Sequence, residues 1–187
     1  MTLLRWVSYL FFVVAAAALG DYAYITGSAW MFEEHAAREL ARAPQVTMAR
    51  DLPEVARDGL IGRVEIPRLG LSVALAEGAG TATLRKAAGH IEGTAFPGDP
   101  GNVGIAGHRD TFFRPLRRIR PNDLIVIDTL RGRYRYRVLS TTIVRPRDVG
   151  VLAPTPHQAL TVVTCYPFYY IGSAPYRFIV RAERVAG

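Results

Sequence analysis

A chain of 187 residues accommodates one domain with additional segments, because a single hydrophobic core usually takes about 100–200 residues. Half of the residues are hydrophobic, which excludes general disorder, and the single cysteine excludes an intramolecular disulfide and a cysteine-rich zinc site. The formal net charge of +7 permits contact with anionic lipid head groups, acidic wall polymers or nucleic acid. The sequence contains no run of five basic residues and no recognised nucleic-acid-binding motif, so we predict no nucleic-acid partner.

The amino-terminal segment, residues 1–32, has the composition of a single-pass membrane anchor. Trp6–Gly20 contains no charged residue, and Arg5 before it can extend its side chain to the interface. Aromatic residues on the two sides fit the belts of a membrane interface: Trp6, Tyr22, Tyr24 and Trp30. Because Arg5 precedes the apolar run and Asp21 follows it, the amino terminus should be cytoplasmic and the rest of the chain extracytoplasmic. A cleaved signal peptide is the alternative, since small residues occupy positions 15–18.

Residues 33–59 are predicted to form a juxtamembrane helix and a linker. Glu34 and Arg38 are spaced to pair on one helical face, and Pro44 should end this helix. Residues 46–59 show no clear hydrophobic period, which is typical of a linker.

From residue 60 onward the pattern changes to short strands separated by glycine and proline turns. The predicted strands are Gly62–Ile66, Leu71–Leu75, Val103–Ala106, Asp123–Thr129, Arg133–Val144, Ala159–Cys165 and Tyr176–Arg184, with a hairpin at Arg131-Gly132. Helical turns are expected only at 81–88 and 112–119. Many short strands with few helices predict an all-β domain over residues 60–187, folded as a closed or nearly closed barrel.

Two of the four histidines are candidates for chemistry. His35 lies in the juxtamembrane helix and His157 in a proline-rich loop, so both are expected at the surface. His90 and His108 each follow a glycine at a strand end, and for His90 a hydrogen-bonded structural role is favoured. His108 ends an apolar strand and precedes the polar residues 109–111, where the chain should reverse. Catalytic groups are commonly held at such strand ends, so His108 is the candidate acid/base.

Cys165 ends a predicted strand and is followed by Tyr166 and Pro167, which should stop strand pairing. If the last two strands form an antiparallel hairpin, Cys165 at the end of one faces Arg177 at the beginning of the other. Alternation along the last strand places Phe178 and Val180 on the face opposite to Arg177. The pattern therefore predicts a thiol and a guanidinium side by side at the mouth of the sheet.

Three sequence motifs resemble those of the sortase family, and most closely its class D. They are Gly-His-Arg-Asp-Thr-Phe-Phe-Arg-Pro-Leu at 107–116, Thr-Val-Val-Thr-Cys-Tyr-Pro-Phe at 161–168 and Ala-Pro-Tyr-Arg-Phe-Ile-Val at 174–180. The resemblance covers roughly residues 60–185 and extends to Gly93–Gly98 and Asn102. Val162 stands where the family has leucine in its Thr-Leu-x-Thr-Cys signature, and this apolar exchange puts little in doubt.

The resemblance implies an eight-stranded closed β-barrel with short helices and an extracytoplasmic active site. We predict no cofactor and no metal ligands. The family's catalytic histidine, cysteine and arginine correspond to His108, Cys165 and Arg177. The threonine before the family's cysteine, which lies in the substrate groove, corresponds to Thr164. A lid motif of Asp-Pro-aromatic type does not precede the first predicted strand, which is weak evidence against the pilin-polymerising class C.

The implied activity is that of a cysteine transpeptidase at the cell membrane. It would cleave a sorting signal resembling Leu-Pro-x-Thr-Gly in secreted proteins through a Cys165 thioester. The acyl group would then pass to an amine acceptor, either a peptidoglycan precursor or a pilin lysine. The lipid bilayer is a further partner through the amino-terminal helix.

The residues disfavour some alternative functions and leave others open. An L,D-transpeptidase is disfavoured because Val163-Thr164 precede Cys165 instead of the usual Ser-His-Gly, and papain-like enzymes place cysteine before histidine. A metal site is disfavoured because His90 and His108 have no further ligand at a recognisable spacing. A cysteine hydrolase using the same site, and a membrane-tethered barrel that only binds wall polymer, remain open.

Overall fold

The computed structural model describes residues 2–42, 55–56 and 58–185. The described residues form two helices, α1 (Thr2–Arg42) and α2 (Thr81–Leu84), and the strands β1 (Leu60–Ile66), β2 (Leu71–Glu77), β3 (Ala88–His90), β4 (Asn102–Gly107), β5 (Leu124–Thr129), β6 (Gly132–Val144), β7 (Ala159–Tyr166) and β8 (Tyr176–Arg184). Single turns of 3₁₀ helix lie at Pro67–Leu69, Arg114–Arg118 and Val149–Leu152.

The eight strands close into one barrel in the order β1-β2-β3-β4-β7-β8-β6-β5. The pairs β2–β3 and β4–β7 are parallel, and the other neighbouring strands are antiparallel. Each of the eight strands pairs with two neighbours, so the described barrel has no terminal strand. The prediction of an all-β, eight-stranded closed barrel with short helices is thereby confirmed.

Alternate residues of the strands fill the barrel interior, as a two-residue period requires. The core includes Val64 and Ile66 of β1, Val73 and Leu75 of β2, Val103 and Ile105 of β4, Ile125 and Ile127 of β5, Leu160 and Val162 of β7, and Val180 and Ala182 of β8. Phe178 packs against this cluster on the same face of β8 as Val180, as its alternation predicted. The rigid barrel therefore supplies a fixed frame for side chains at the strand ends.

The seven predicted strands are present with ends shifted by at most two residues, whereas β3 was not anticipated. The expected helical turns at 81–88 are found as α2 and the turns after it, but the expectation is wrong at Ala88, which begins β3. This strand has only three residues and pairs in parallel with Leu75–Glu77, so its formation depends on tertiary contacts and not on local periodicity. The turns predicted at 112–119 contain the 3₁₀ helix Arg114–Arg118.

Helix α1 runs without a break through the predicted boundary between residues 32 and 33 and docks on the barrel. The Glu33 carboxylate lies 2.9 Å from the Arg63 guanidinium and accepts a 2.6 Å hydrogen bond from the Ala74 backbone N–H. Ala36 is fully buried in a small apolar cluster that includes Leu60 of β1. The anchor and the barrel are thus joined directly by side-chain contacts.

The remaining predictions for the anchor and the juxtamembrane segment are confirmed only in part. Glu34 and Arg38 form the expected ion pair, with 2.6 Å between Oε1 and Nη2. Pro44 and most of the predicted linker lie outside the described residues. By length and composition α1 is able to cross a membrane, which fits an anchoring role. The proposed boundaries of the anchor (1–32), the juxtamembrane segment (33–59) and the barrel domain (60–187) stay predictions.

A buried hydrogen-bond network holds the amino-terminal end of β4, opposite the end at Gly107. The Asn102 amide donates to the backbone oxygens of Val151 (3.1 Å) and Ala153 (3.2 Å), and its Oδ1 accepts from the Thr161 hydroxyl at 2.8 Å. Arg181 donates to the same Thr161 hydroxyl at 2.8 Å. These contacts satisfy polar groups that would otherwise be buried without partners, and they explain an asparagine at the beginning of a buried strand.

An ion pair fastens the 3₁₀ turn after β1 to the turn before β5. The nearly buried Asp123 carboxylate accepts hydrogen bonds from Arg68 Nε and Nη2 and from the Arg120 backbone N–H. These hydrogen bonds, chiefly those from Arg68, lower the pKa of Asp123 below its ordinary value, although burial opposes the shift. The charged carboxylate is therefore the form that the fold stabilises.

We expect Asp123→Asn to lower the free energy of unfolding by about 1–3 kcal/mol near neutral pH, because the buried carboxylate loses its charge-assisted hydrogen bonds from Arg68 and Arg120. Since the folded-state pKa of Asp123 lies below the unfolded value of about 3.9, its contribution is complete above that pH and is lost as pH falls through the folded value. Urea unfolding of the full chain in detergent, followed by circular dichroism, should therefore show the largest difference from wild type at neutral pH and a smaller one in acid. Asp148→Asn, at an exposed position, is the control. A difference that grows in acid would contradict this assignment.

Candidate active site

Three adjacent strands end at one rim of the barrel and bring the predicted site residues together. Gly107, the last residue of β4, is in register with Thr164 of the parallel strand β7. His108 directly follows β4 and Cys165 is the next residue of β7, so both continue from paired positions on strands that lie about 4.8 Å apart. Cys165 pairs in turn with Arg177 of the antiparallel strand β8. The predicted pairing of Cys165 and Arg177 is confirmed.

The sequence after β4 fixes the direction in which His108 leaves the barrel. The Phe113 backbone N–H donates to the His108 oxygen at 3.0 Å, which closes a turn around residues 108–113. The buried Phe113 ring then packs on Gly107, where a Cβ atom would lie only 2.5 Å from it. A side chain at position 107 would displace this ring, so glycine is required for the close approach. The half-buried His108 is thus held on a well-packed turn.

An open cleft of about 340 Å³ lies at this rim. It is lined by His108, Arg109, Asp110, Cys165, Gly172, Ser173, Ala174 and Arg177. Cys165 is half-buried, so its thiol is accessible from the cleft and is not a core side chain. The structure therefore places His108, Cys165 and Arg177 in the wall of one cleft.

The Arg177 guanidinium is held over the loop that joins β7 to β8. Its Nη1 donates to the backbone oxygens of Ala174 (3.2 Å) and Tyr176 (3.0 Å). Among the described residues, its Nε and Nη2 have no hydrogen-bond partner. Arg177 is thus fixed by one nitrogen and keeps two charged donor groups available beside the cleft.

Thr164 does not line the cleft. Its side chain is 2% exposed, and its hydroxyl donates to the Gly107 oxygen at 2.7 Å. This bond joins the ends of β4 and β7 one residue before His108 and Cys165. A direct contact between Thr164 and substrate stays a prediction, whereas the observed contact aligns the two strands that carry the histidine and the cysteine.

The other histidines have the surroundings expected for structural or surface residues. His90 is 1% exposed, with Nδ1 at 2.8 Å from Glu77 Oε2 and Nε2 at 3.0 Å from the Ala95 oxygen, which confirms its structural role. His35 pairs with Asp58 at 2.9 Å, and His157 is exposed. Within the described ranges, His, Cys, Asp and Glu side chains do not gather in groups of three that could hold a metal ion.

The family model for the sortase domain matches residues 64–185, which is more than half of the chain and spans nearly the whole barrel. The chain belongs to the sortase family. The family resemblance inferred from the motifs at 107–116, 161–168 and 174–180 is thereby confirmed.

Individual sortases align over the same region. Sortase D of Bacillus subtilis is 32% identical over 125 residues, which are 66% of this chain and 63% of that protein. Sortase SrtE1 of Streptomyces coelicolor is 33% identical over 141 residues, which are 65% of this chain and 39% of that protein. The chain thus spans less than two thirds of the length of these sequence relatives. The structure of a Clostridium perfringens sortase D5 transpeptidase superposes with a TM-score of 0.71 at 28% identity, covering 82% of this chain and 98% of that one.

One residue of this sortase site was not singled out by the sequence. Arg109 is only 8% exposed, and its Nη2 donates to the backbone oxygens of Tyr170 (2.6 Å) and Gly172 (3.1 Å). It therefore ties the turn that carries His108 to the β7–β8 loop between Cys165 and Arg177. In the sequence Arg109 is merely part of a polar cluster, and its partners lie more than 60 residues away. No local pattern reveals this contact.

Proposed function

We propose that this sortase is a cysteine transpeptidase in which Cys165 is the nucleophile, His108 the acid/base and Arg177 the anion stabiliser. One observation carries the proposal, namely that a half-exposed thiol, an imidazole and a guanidinium line the same cleft on three adjacent strands. Nucleophilic catalysis by cysteine requires a partner that exchanges protons and a donor for the developing oxyanion. These residues provide all three groups on a rigid rim.

In the first half-reaction the Cys165 thiolate attacks the carbonyl carbon of the scissile peptide bond. The carbonyl electron pair moves onto oxygen and forms a tetrahedral oxyanion. When this intermediate collapses, the C–N bond breaks and the His108 imidazolium gives its proton to the departing amine. The products are a thioester on Cys165, a neutral imidazole and a released amine fragment.

In the second half-reaction an incoming amine attacks the thioester carbonyl. Neutral His108 accepts a proton from this amine, and the C–S bond breaks to return the Cys165 thiolate. The acyl group ends in a new amide bond. The thiolate and the imidazolium are both regenerated, so the cycle consumes no further proton donor.

Arg177 is suited to stabilise the oxyanion in both half-reactions. Its backbone contacts leave two charged donor groups free, and Cys165 is its direct partner across the β7–β8 ladder. Charge-assisted hydrogen bonds from a preorganised donor stabilise a transition-state oxyanion more than the uncharged substrate carbonyl. Removing such a donor therefore affects kcat in particular.

The family assignment and the apolar helix α1 support our proposals for the substrates and the location. We assign the acyl donor as a sorting signal resembling Leu-Pro-x-Thr-Gly in secreted proteins, and the acceptor as an amine of a peptidoglycan precursor or a pilin lysine. The chain acts at the membrane as a single-pass protein, with its amino terminus in the cytoplasm and the barrel outside. Arg5 lies before the apolar run and no Lys or Arg follows the run until Arg38, and this distribution of basic residues supports the orientation.

The test is to incubate the full chain, in detergent micelles, with labelled Leu-Pro-x-Thr-Gly and Leu-Pro-x-Thr-Ala peptides and an amine acceptor, and to follow products by mass spectrometry. A ligated product together with a thioester adduct at Cys165 is the expected result. Cleavage without ligation would replace the transpeptidase assignment by a hydrolase. Absence of both thioester and product with every peptide and acceptor would overturn the assignment of these substrates.

We expect Arg177→Ala to lower kcat by about 10²–10³-fold, the usual effect of removing an oxyanion donor. Arg177→Lys should recover only part of this loss, because an ammonium does not reproduce the geometry of a guanidinium. Arg135→Ala, which removes an exposed arginine from β6, should leave kcat unchanged. Initial rates against peptide concentration separate kcat from KM; an effect confined to KM would assign Arg177 to ground-state binding instead.

A further inference from the structure

A second cleft, of about 710 Å³, separates α1 from α2 and shares no lining residue with the catalytic cleft. One wall comes from α1 and contains Tyr24, Ile25, Ser28 and Met31, and the opposite wall includes Arg85 and Lys86 after α2. The cleft therefore combines an apolar wall with a pair of adjacent cationic side chains. The proposed transpeptidation uses none of these residues.

The free charge of this cleft is positive. Arg85 is exposed and has no ion pair among the residues that the structure describes, and the Lys86 ammonium lies 4.4 Å from the centre of the Phe32 ring. Asp58, an acidic residue in the lining, is paired with His35 at 2.9 Å. The two cations outnumber this carboxylate in the lining, so the cleft can receive an anionic group.

The position of the cleft along α1 indicates where this anionic group comes from. Tyr24 belongs to the aromatic residues that follow the apolar run, at the level expected for the outer membrane interface. The contacts of Glu33 with Arg63 and Ala74 fix the helix against the barrel about two and a half turns beyond Tyr24. The cleft consequently opens at the depth of the lipid head groups, directly beside the helix that crosses the membrane.

We propose that this cleft binds one anionic phospholipid of the outer leaflet, an inference that depends on the membrane anchoring stated under the proposed function. Its phosphate lies against Arg85 and Lys86, and its glycerol and upper acyl chain lie along Ile25 and Met31. Basic residues near a membrane surface bind anionic lipids through this charge complementarity, and apolar contacts hold the chain. A lipid seated between helix and barrel keeps the barrel in one orientation on the membrane.

The test uses the full chain in nanodiscs of mixed phosphatidylcholine and phosphatidylglycerol, followed by detergent extraction and native mass spectrometry. We expect the wild type to retain phosphatidylglycerol, and Arg85→Gln with Lys86→Gln to reduce the retained fraction at least about tenfold. The matched control is Arg145→Gln with Arg147→Gln, which removes the same charge from an exposed loop outside the cleft. Equal retention by the two double variants would overturn the proposal.

A variant of unchanged charge separates a lipid in the cleft from attraction to the surface in general. Ser28→Trp fills the cleft from the α1 side, and we expect it to abolish retention of phosphatidylglycerol while thermal stability in micelles is kept. Undiminished retention, or displacement of the lipid by inorganic phosphate alone, would contradict an acyl chain bound in the cleft.

Failure of the anchoring itself is measured separately, by flotation of the wild type with phosphatidylcholine vesicles. If the wild type does not float with the vesicles, both the membrane anchoring and the lipid-site proposal are wrong. If it floats but retains no phosphatidylglycerol, only the lipid-site proposal is wrong. The double variant should keep full peptide ligation in micelles, since Arg85 and Lys86 do not line the catalytic cleft.

Discussion

Cys165→Ala is expected to abolish thioester formation and to lower the rate of peptide ligation by at least about 10⁴-fold. No other thiol exists in the chain, so no neighbouring cysteine can take over the attack. The side chain is half-buried at the rim of the barrel, and its removal leaves no closed cavity in the core. The fold should therefore be retained, with the thermal midpoint changed only slightly. Intact mass measured during turnover, with and without acceptor amine, provides the readout.

His108→Ala should cause a loss of similar size, and the double variant should be little worse than either single one. Nucleophile and acid/base act as a unit, so their effects on kcat are not additive. His157→Ala, at an exposed histidine outside the cleft, is the matched control and should leave kcat unchanged. Residual ligation in Cys165→Ala above about one part in 10⁴ would contradict the thioester mechanism, because a barrel that acts without its thiol needs another nucleophile.

The pH dependence of ligation should also report on two groups. In the proposed mechanism the thiol must be ionised while the imidazole carries a proton, so kcat/KM should rise and then fall with pH. A profile that rises to a plateau without falling would show that only one of the two protonation states matters.

Much of the fold could be predicted from the sequence because most strand signals are local. The strands at 62–66, 71–75 and 176–184 are marked by alternating apolar residues between glycine and proline turns. Strand β3 could not be recognised, since three residues carry no measurable period and the strand exists only through pairing with β2 and β4. Periodicity therefore predicts elements that bury a face of their own and misses those defined by their neighbours.

The same distinction between local patterns and tertiary contacts applies to the catalytic cleft. The pairing of Cys165 with Arg177 lies within one hairpin, and it was predicted by matching the end of β7 with the beginning of β8. The approach of His108 to Cys165 depends on the parallel pairing of β4 with β7, more than 50 residues apart, for which only the family motifs gave an indication. The burial of Thr164, and the docking of Glu33 on Arg63, were equally beyond local reasoning because both are tertiary contacts.

Arg109→Gln is expected to lower kcat/KM by about 10–100-fold. Arg109 is a positioning residue, because the hydrogen-bond partners of its side chain are protein groups. The guanidinium holds the oxygens of Tyr170 and Gly172, and a shorter, neutral amide cannot span the same two acceptors. The β7–β8 loop then loses its attachment to the His108 turn. Because this loop supplies Gly172, Ser173 and Ala174 to the cleft, a small displacement misplaces both substrate and Arg177.

Hydrogen exchange distinguishes this role from a general loss of stability. In Arg109→Gln the amides of residues 168–174 should exchange faster, whereas those of β1 and β5 should keep their wild-type protection. Arg109→Lys should restore part of kcat, since a single ammonium can still reach one of the two carbonyl oxygens. Arg114→Gln removes an exposed arginine at the beginning of the 3₁₀ helix after this turn and should change neither exchange nor kcat.

A faster exchange throughout the barrel of Arg109→Gln would assign the residue to overall stability. Faster exchange confined to the loop with unaltered kcat and KM would show that the loop need not be held for catalysis. The expected combination of a local loss of protection with a lowered kcat arises only if the contact between the two loops sets the geometry of the cleft. The Arg109 side chain then couples the histidine turn to the loop between the cysteine and arginine strands.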